Sequence, residues 1–260
     1  MPPVYPFPKK TLFTLLAAVA LQRKLSFHQV AVSCTNLLKP APQIYGGENI
    51  PGGGGYVLVI NHYTRPGFMA WWLALTSSAN IPEEVHWVQS NAWRMTGWQQ
   101  PLSGITRWLF PQVAGALGFT AMPPIPPDPH EVEQRAQAVR KVLTVARINP
   151  QIIIGLAPEG SDEEGGCLKM PPPGTGRFIQ LLSRLGLGFL PVGFFEEGDT
   201  PCLRFGQLYH LDGTEGNGNH ANRDEQVSKT VMASIAAQLP PKLWGEFKPL
   251  NDPELQGTDA

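Results

Sequence analysis

The sequence predicts an α/β fold: a single domain with a mainly parallel central sheet flanked by helices, preceded by a short N-terminal helical hairpin. Three observations predict it. Buried-strand patterns recur at residues 57–60, 151–156 and 187–196, and the first two run straight into polar turns. Helical patterns separate these strands, and that alternation favours parallel pairing. The 260 residues, 42% of them hydrophobic, suit one domain with a sizeable core.

The chain divides into three parts: residues 1–44, an apolar and basic helical hairpin; 45–250, the α/β domain; and 251–260, a frayed tail. Residues 1–40 carry Lys9, Lys10, Arg23, Lys24 and Lys39 and no acid, which leaves a charge of −6 for the rest of a chain whose net charge is −1. The apolar run at 11–21 has eleven residues, and a bilayer crossing needs roughly 20. A second apolar run, 27–38, stops at Pro40. Two short helices with basic ends fit a hairpin lying on a membrane surface. A cleaved signal peptide and a plain packing hairpin are the rival readings.

The first strand follows four glycines, Gly52 to Gly55, and ends in Asn61-His62. Pro66-Gly67 then turns the chain into the apolar run 68–75, read as a buried helix. A histidine at a strand end before a helix stands at the carboxyl edge of the sheet, where open α/β folds bind ligands. Histidine is also the side chain most readily used as a base near neutral pH.

Residues 81–127 set Trp87, Trp93, Trp98, Trp108, Phe110 and Phe119 among Gly and Pro. The run 102–117 is apolar on most sides, so it is buried or faces lipid. Trp71, Trp72, Trp108 and Phe110 are candidates for the wall of an apolar channel, with core packing as the alternative. Asp128-Pro129-His130-Glu131 has the form of a capping box. Val132, Ala136, Val139 and Leu143 then recur on one helical face, and Arg135, Arg140, Lys141 and Arg147 read as solvated charges. Helices at 175–185, stopped by Gly186, and at 224–238 flank a last strand near 202–209.

Cys34, Cys167 and Cys202 are widely spaced, so neither a disulfide framework nor a zinc site is expected, and a reducing compartment is the default. The acidic run Asp162-Glu163-Glu164 has no partner at ligand spacing, so no metal is predicted. The near-neutral charge carries no nucleic-acid signature.

Four blocks in order carry a resemblance. Asn61-His62, then Pro158-Glu159-Gly160-Ser161, then Leu190-Pro191-Val192 follow the lead-in Gly46-Gly47-Glu48-Asn49-Ile50-Pro51. Together with a closing helix at 231–240, this resembles the glycerolipid acyltransferase family, which includes the 1-acylglycerol-3-phosphate acyltransferases. The resemblance covers roughly residues 45–245. It implies that His62 is the base taking a proton from an acceptor hydroxyl that attacks an acyl thioester, either acyl-CoA or an acyl carrier protein. It implies no other cofactor. It places Asn61, Glu159, Gly160 and Ser161 at the substrate, with Arg65 and Arg177 as nearby cations. It also implies glycerolipid or phospholipid metabolism at the cytoplasmic face of a membrane, with peripheral or monotopic attachment.

Two departures matter. The family aspartate that orients the histidine falls at Gly67, so Asp162, Glu163 and Glu164 become the candidate orienting acids. The family arginine after the Glu-Gly-Thr block falls at Asp162, and the stretch 118–125 has no basic residue. A dianionic phosphate needs paired cations or a helix N-terminus, so the expected acceptor is lipid-like and carries no phosphate. A catalytically impaired acyl- or lipid-binding protein and an acyl-thioesterase remain alternatives.

Overall fold

A computed structural model describes residues 2–6, 8–91, 100–124, 128–160, 164–211 and 220–248. The expectations at Trp93, Trp98, Ser161, Asp162, Glu163 and the tail 251–260 therefore lie outside the described residues, as does the side chain of Glu164.

Among the described residues, seven strands form one sheet, in the order β1-β7-β6-β2-β5-β3-β4. These are β1 (Gln43–Tyr45), β2 (Tyr56–Ile60), β3 (Val85–Ser90), β4 (Thr120–Met122), β5 (Ile153–Leu156), β6 (Gly188–Glu197) and β7 (Thr200–Phe205). The pairing is parallel except for the tight β6–β7 hairpin, as expected for a mainly parallel sheet. Among the described residues, seven α-helices accompany it: α1 (Lys9–Ala20), α2 (Phe27–Thr35), α3 (Trp71–Ser78), α4 (Gln100–Leu117), α5 (Val132–Ile148), α6 (Thr175–Ser183) and α7 (His220–Ala236).

β2 is central and fully buried along its length, which is why it reads as an unbroken Tyr-Val-Leu-Val-Ile run. From β2 the chain goes to one side, through β3, β4 and β5. It then crosses to the other side for β6 and β7. The right-handed rule for such crossovers puts α3 and α4 on one face, and α5 and α6 on the other. Packing agrees: α2 lies on α3 and α1 on α4, while α6 packs on both α5 and α7. Both N-terminal helices form, yet each takes its main partner from the later chain rather than from the other. Phe27, Ala31 and Cys34 bury α2 in the core, and Leu25 N–H bonds the Ala116 carbonyl at 2.9 Å beside α4.

Three strands, β1, β3 and β4, were not expected from the sequence. β3 lies in the Trp-rich region, where Trp87 stands opposite Gly155 of β5. A β-carbon on Gly155 would sit 2.4 Å from the Trp87 ring, so that glycine makes room for the indole. β4 has only three residues, too few for a periodic signal. The capping box ahead of α5 does form: Asp128 N–H donates to Glu131 Oε2 at 3.0 Å. The buried stripe of α5, however, is Ala138, Val142 and Ala146, with Val139, Leu143 and Val145 beside it. Val132 is 56% exposed and Ala136 is exposed. The helix is rotated from the expected face because small alanines, weak in any hydrophobic count, fit closest to the sheet.

Candidate functional site

His62 follows β2 directly, at the carboxyl edge of the central strand and at the point where strand order reverses. Neighbouring side chains fix the backbone there. Asn61 is completely buried. Its Nδ2 donates to the Phe194 carbonyl at 2.9 Å, and its Oδ1 accepts from the Phe194 N–H at 2.7 Å. Ile60 is the last β2 residue paired with β6, so the Asn61 amide continues the ladder one step after the backbone has left it.

Glu159 does the corresponding work on the β5 side. It is 2% exposed. One carboxylate oxygen accepts the His62 N–H at 2.5 Å and the other accepts the Lys169 N–H at 3.0 Å. Burial pushes its carboxyl above the ordinary carboxylate range; the two amides pull the other way without cancelling the rise. With both oxygens committed to backbone amides, Glu159 acts as a brace between two strand ends.

Arg65 is also committed to the fold. Its Nε pairs with Glu196 Oε2 at 2.7 Å, and its Nη1 and Nη2 donate to the Pro66 and Pro3 carbonyls at 2.8 and 2.6 Å. Tyr5 completes the knot, donating to Glu196 Oε1 at 2.8 Å with its ring under the guanidinium. That ring packs edge-on against Phe68 at 4.9 Å and lies 5.6 Å from Trp72. An aromatic floor of Tyr5, Tyr63, Phe68, Trp72 and Phe194 thus lies beneath the turn after His62.

Gly67 has φ of +81° in a turn closed by Phe68 N–H to the Arg65 carbonyl at 3.0 Å. With Pro66 ahead of it, this is the arrangement in which glycine is preferred at the third position. The acidic loop comes back to this block: a β-carbon on Gly166 would lie 3.0 Å from the Thr64 carbonyl and 3.1 Å from the Tyr63 ring. Among the described residues, no group of three His, Cys, Asp or Glu gathers as a metal site.

The other predicted residues disperse. Trp72 is 1% exposed and belongs to the core, whereas Trp108 is 66% exposed on α4. The two do not line a common wall, because one is packed into the core and the other is open to solvent. Trp71 and Phe110 are half-buried. Arg177 is exposed, and its N–H, like that of Gly174, is capped by Asp224 of α7, at 2.6 and 2.7 Å.

Gly160 lies at the rim of a cleft of about 160 Å³. The cleft opens at the carboxyl ends of β3, β4 and β5, between the start of α6 and the inner face of α5. Its walls are mostly apolar, with Met122, Pro123, Leu156 and Phe178 among them, and Arg135 enters from α5. The sequence reading set Arg135 among the solvated charges. The structure half-buries it, three residues before Ala138 and four before Val139 on the inward stripe. That spacing was the available signal. Tyr5, Phe194 and Glu196 were also missed, since nothing local links them to residues 61–65.

No family model matches this chain, and no curated protein does. A solved structure resembles it. This is the crystal structure of the 1-acyl-sn-glycerophosphate (LPA) acyltransferase PlsC from Thermotoga maritima. The TM-score is 0.47 and the identity 13%, over 87% of this chain and 80% of that one.

Proposed function

We propose that this chain is a membrane-associated acyltransferase that moves a fatty acyl group from an acyl thioester to a lipid-type acceptor lacking a phosphate. The observation that carries this reading is the joining of the first and second sequence blocks at one point, where Glu159 braces the backbone of His62. A braced strand end fixes the point from which the imidazole leaves the backbone, which is one part of the positioning that general-base catalysis requires. Attack by the acceptor oxygen on the thioester carbonyl passes through a tetrahedral oxyanion, which needs hydrogen-bond donors close by.

The absence of phosphate from the acceptor gains support from Arg65. Three of its five N–H donors go to Glu196, Pro66 and Pro3, and the Glu196 carboxylate balances its charge, which makes it a poor substitute phosphate ligand. Membrane attachment is supported by the α1–α4 face. Phe13, Ile105 and Trp108 are 70%, 57% and 66% exposed there, and Lys9 and Lys10 begin α1. At twelve residues, α1 spans about 18 Å and suits the interface. Replacing Phe13 and Trp108 together by serine should cut flotation with anionic vesicles several-fold; undiminished flotation would overturn this attachment.

The central experiment incubates the protein and its His62→Ala variant with labelled acyl thioester and a lipid extract, and identifies new products by mass spectrometry. A His62-dependent acylated lipid without phosphate is the expected result. Acylation of phosphorylated acceptors alone would overturn the acceptor assignment, and release of free fatty acid without an acceptor would replace transfer by thioester hydrolysis. A second reading, acyl or lipid binding without turnover, has its own support: Gly67 stands at the family aspartate and both Glu159 oxygens are engaged elsewhere. Absence of any turnover with retained acyl binding would favour it.

A further inference from the structure

The cleft beside Gly160 has a composition that the acyl-transfer reading does not use. Four strand and helix ends give it apolar walls, and one cation reaches into it. Arg135 Nη1 donates to the Pro123 carbonyl at 3.0 Å. Among the described residues, no carboxylate pairs with it. Desolvation lowers its pKa, and no charge among the described residues acts on it. A half-buried guanidinium without a counter-charge is costly, and an α-helix normally turns such a residue outward. Here it lies on the inward stripe with Ala138, Val139 and Val142.

The geometry points to a binding site for a small organic carboxylate, with the carboxylate held by Arg135 and an apolar body of about ring size in the cleft. A guanidinium fork matches a carboxylate with two parallel hydrogen bonds. Charge selects the monoanion: one cation and one carboxylate leave the cleft neutral, whereas a dianionic phosphate would leave a net negative charge against apolar walls. The start of α6 borders the cleft but adds little for a dianion, because Asp224 already caps the Gly174 and Arg177 amides. Size selects the body. A cleft of about 160 Å³ is comparable with cavities of roughly 150 Å³ that accept benzene. Gly160 at its rim is also one of the residues expected at the substrate, but the carboxylate site rests on Arg135 and the apolar walls and not on catalysis at His62.

The test uses the full chain, with benzoate and hexanoate as probes and inorganic phosphate as the contrasting anion, followed by protein-observed NMR. Benzoate or hexanoate should bind with a dissociation constant of about 1 mM or below, and phosphate at least tenfold more weakly. Arg135→Gln should weaken carboxylate binding at least tenfold, with Arg135→Lys intermediate. Val139→Trp, which fills the cleft and leaves the charge in place, should abolish it. Far-UV circular dichroism checks that each variant is folded. Lack of carboxylate binding by wild type would overturn the site and show that the guanidinium is already neutralised. Equal or tighter phosphate binding would overturn the ligand class. Carboxylate binding unchanged in a folded Arg135→Gln or Val139→Trp protein would place it elsewhere.

Discussion

The carboxyl edge of the sheet holds two neighbouring regions built in opposite ways. At the end of β2, the side chains of Asn61, Glu159 and Arg65 spend their hydrogen bonds on backbone groups or on Glu196. At the ends of β3, β4 and β5, apolar walls surround one cation. The first arrangement leaves His62 on a backbone held from both sides and half-buried. The second leaves volume. A reacting group needs fixed orientation, and a ligand needs space with few polar anchors. The same edge supplies both because neighbouring parallel strands end together, and the cleft opens where the ends of β3, β4 and β5 meet α5 and the start of α6.

If the first region exists to hold His62, the largest effect comes from His62 itself. His62→Ala should reduce acyl transfer by about 10³-fold or more, within the range of a lost general base and its oriented hydrogen bond. Chemical denaturation of the same variant should change little, since His62 follows the strand instead of filling the core. Loss of activity accompanied by loss of the fold would remove the distinction drawn between His62 and its braces.

Asn61→Ala should act on the fold. It strands the Phe194 N–H and carbonyl in a fully buried place, at a cost of about 2–4 kcal/mol. A melting temperature lowered by several degrees would register it. An unchanged melting temperature would mean that β6 does not depend on this bracket.

Glu159→Gln should cost less at neutral pH, about 1–3 kcal/mol, because one amide loses its acceptor. Its pH dependence is distinctive. Burial raises the folded pKa of Glu159 above its unfolded value. The associated stability is therefore full below the unfolded pKa and is lost as pH rises through the folded one. The stability gap between wild type and variant should be wider at pH 5 than at pH 7 in urea titrations. A gap that narrows toward pH 5 would contradict the direction of the shift.

The smallest effect is expected at Gly67. Gly67→Asp introduces the aspartate that the sequence resemblance calls for but places it at φ of +81°, which costs about 1 kcal/mol. Its β-carbon would lie 3.7 Å from Arg65 Nη1, so the new carboxylate starts toward Arg65. Activity should change by no more than a few-fold. A hundredfold gain would mean that the turn rearranges and delivers the acid to His62.

Much of the fold was legible in the sequence. β2, β5 and β6 carry buried runs of four to eight residues, long enough for hydrophobic pattern and flanking turns to agree. The same strands end in the blocks that located His62 and Glu159. The short strands β1 and β4, of three residues each, exist only through pairing with neighbours and leave no periodic trace. β3 is interrupted by His86 and Gln89, so its alternation is weak beside its aromatic content.

The sequence by itself determined the class of fold, the chain order of the strand-end blocks and the place of His62 at a sheet edge, because these follow from local hydrophobic runs and turn chemistry. Only the tertiary structure decided what each polar side chain does there. Asn61 and Glu159 became braces through contacts with residues 133 and 97 positions away in the chain. Arg65 was taken by Glu196 and the N-terminal segment, and Arg135 was turned inward by the rotation of α5. Such choices depend on which backbone groups strand pairing leaves unsatisfied, and on how closely small residues let a helix approach the sheet. Both are properties of long-range packing, which local periodicity does not encode.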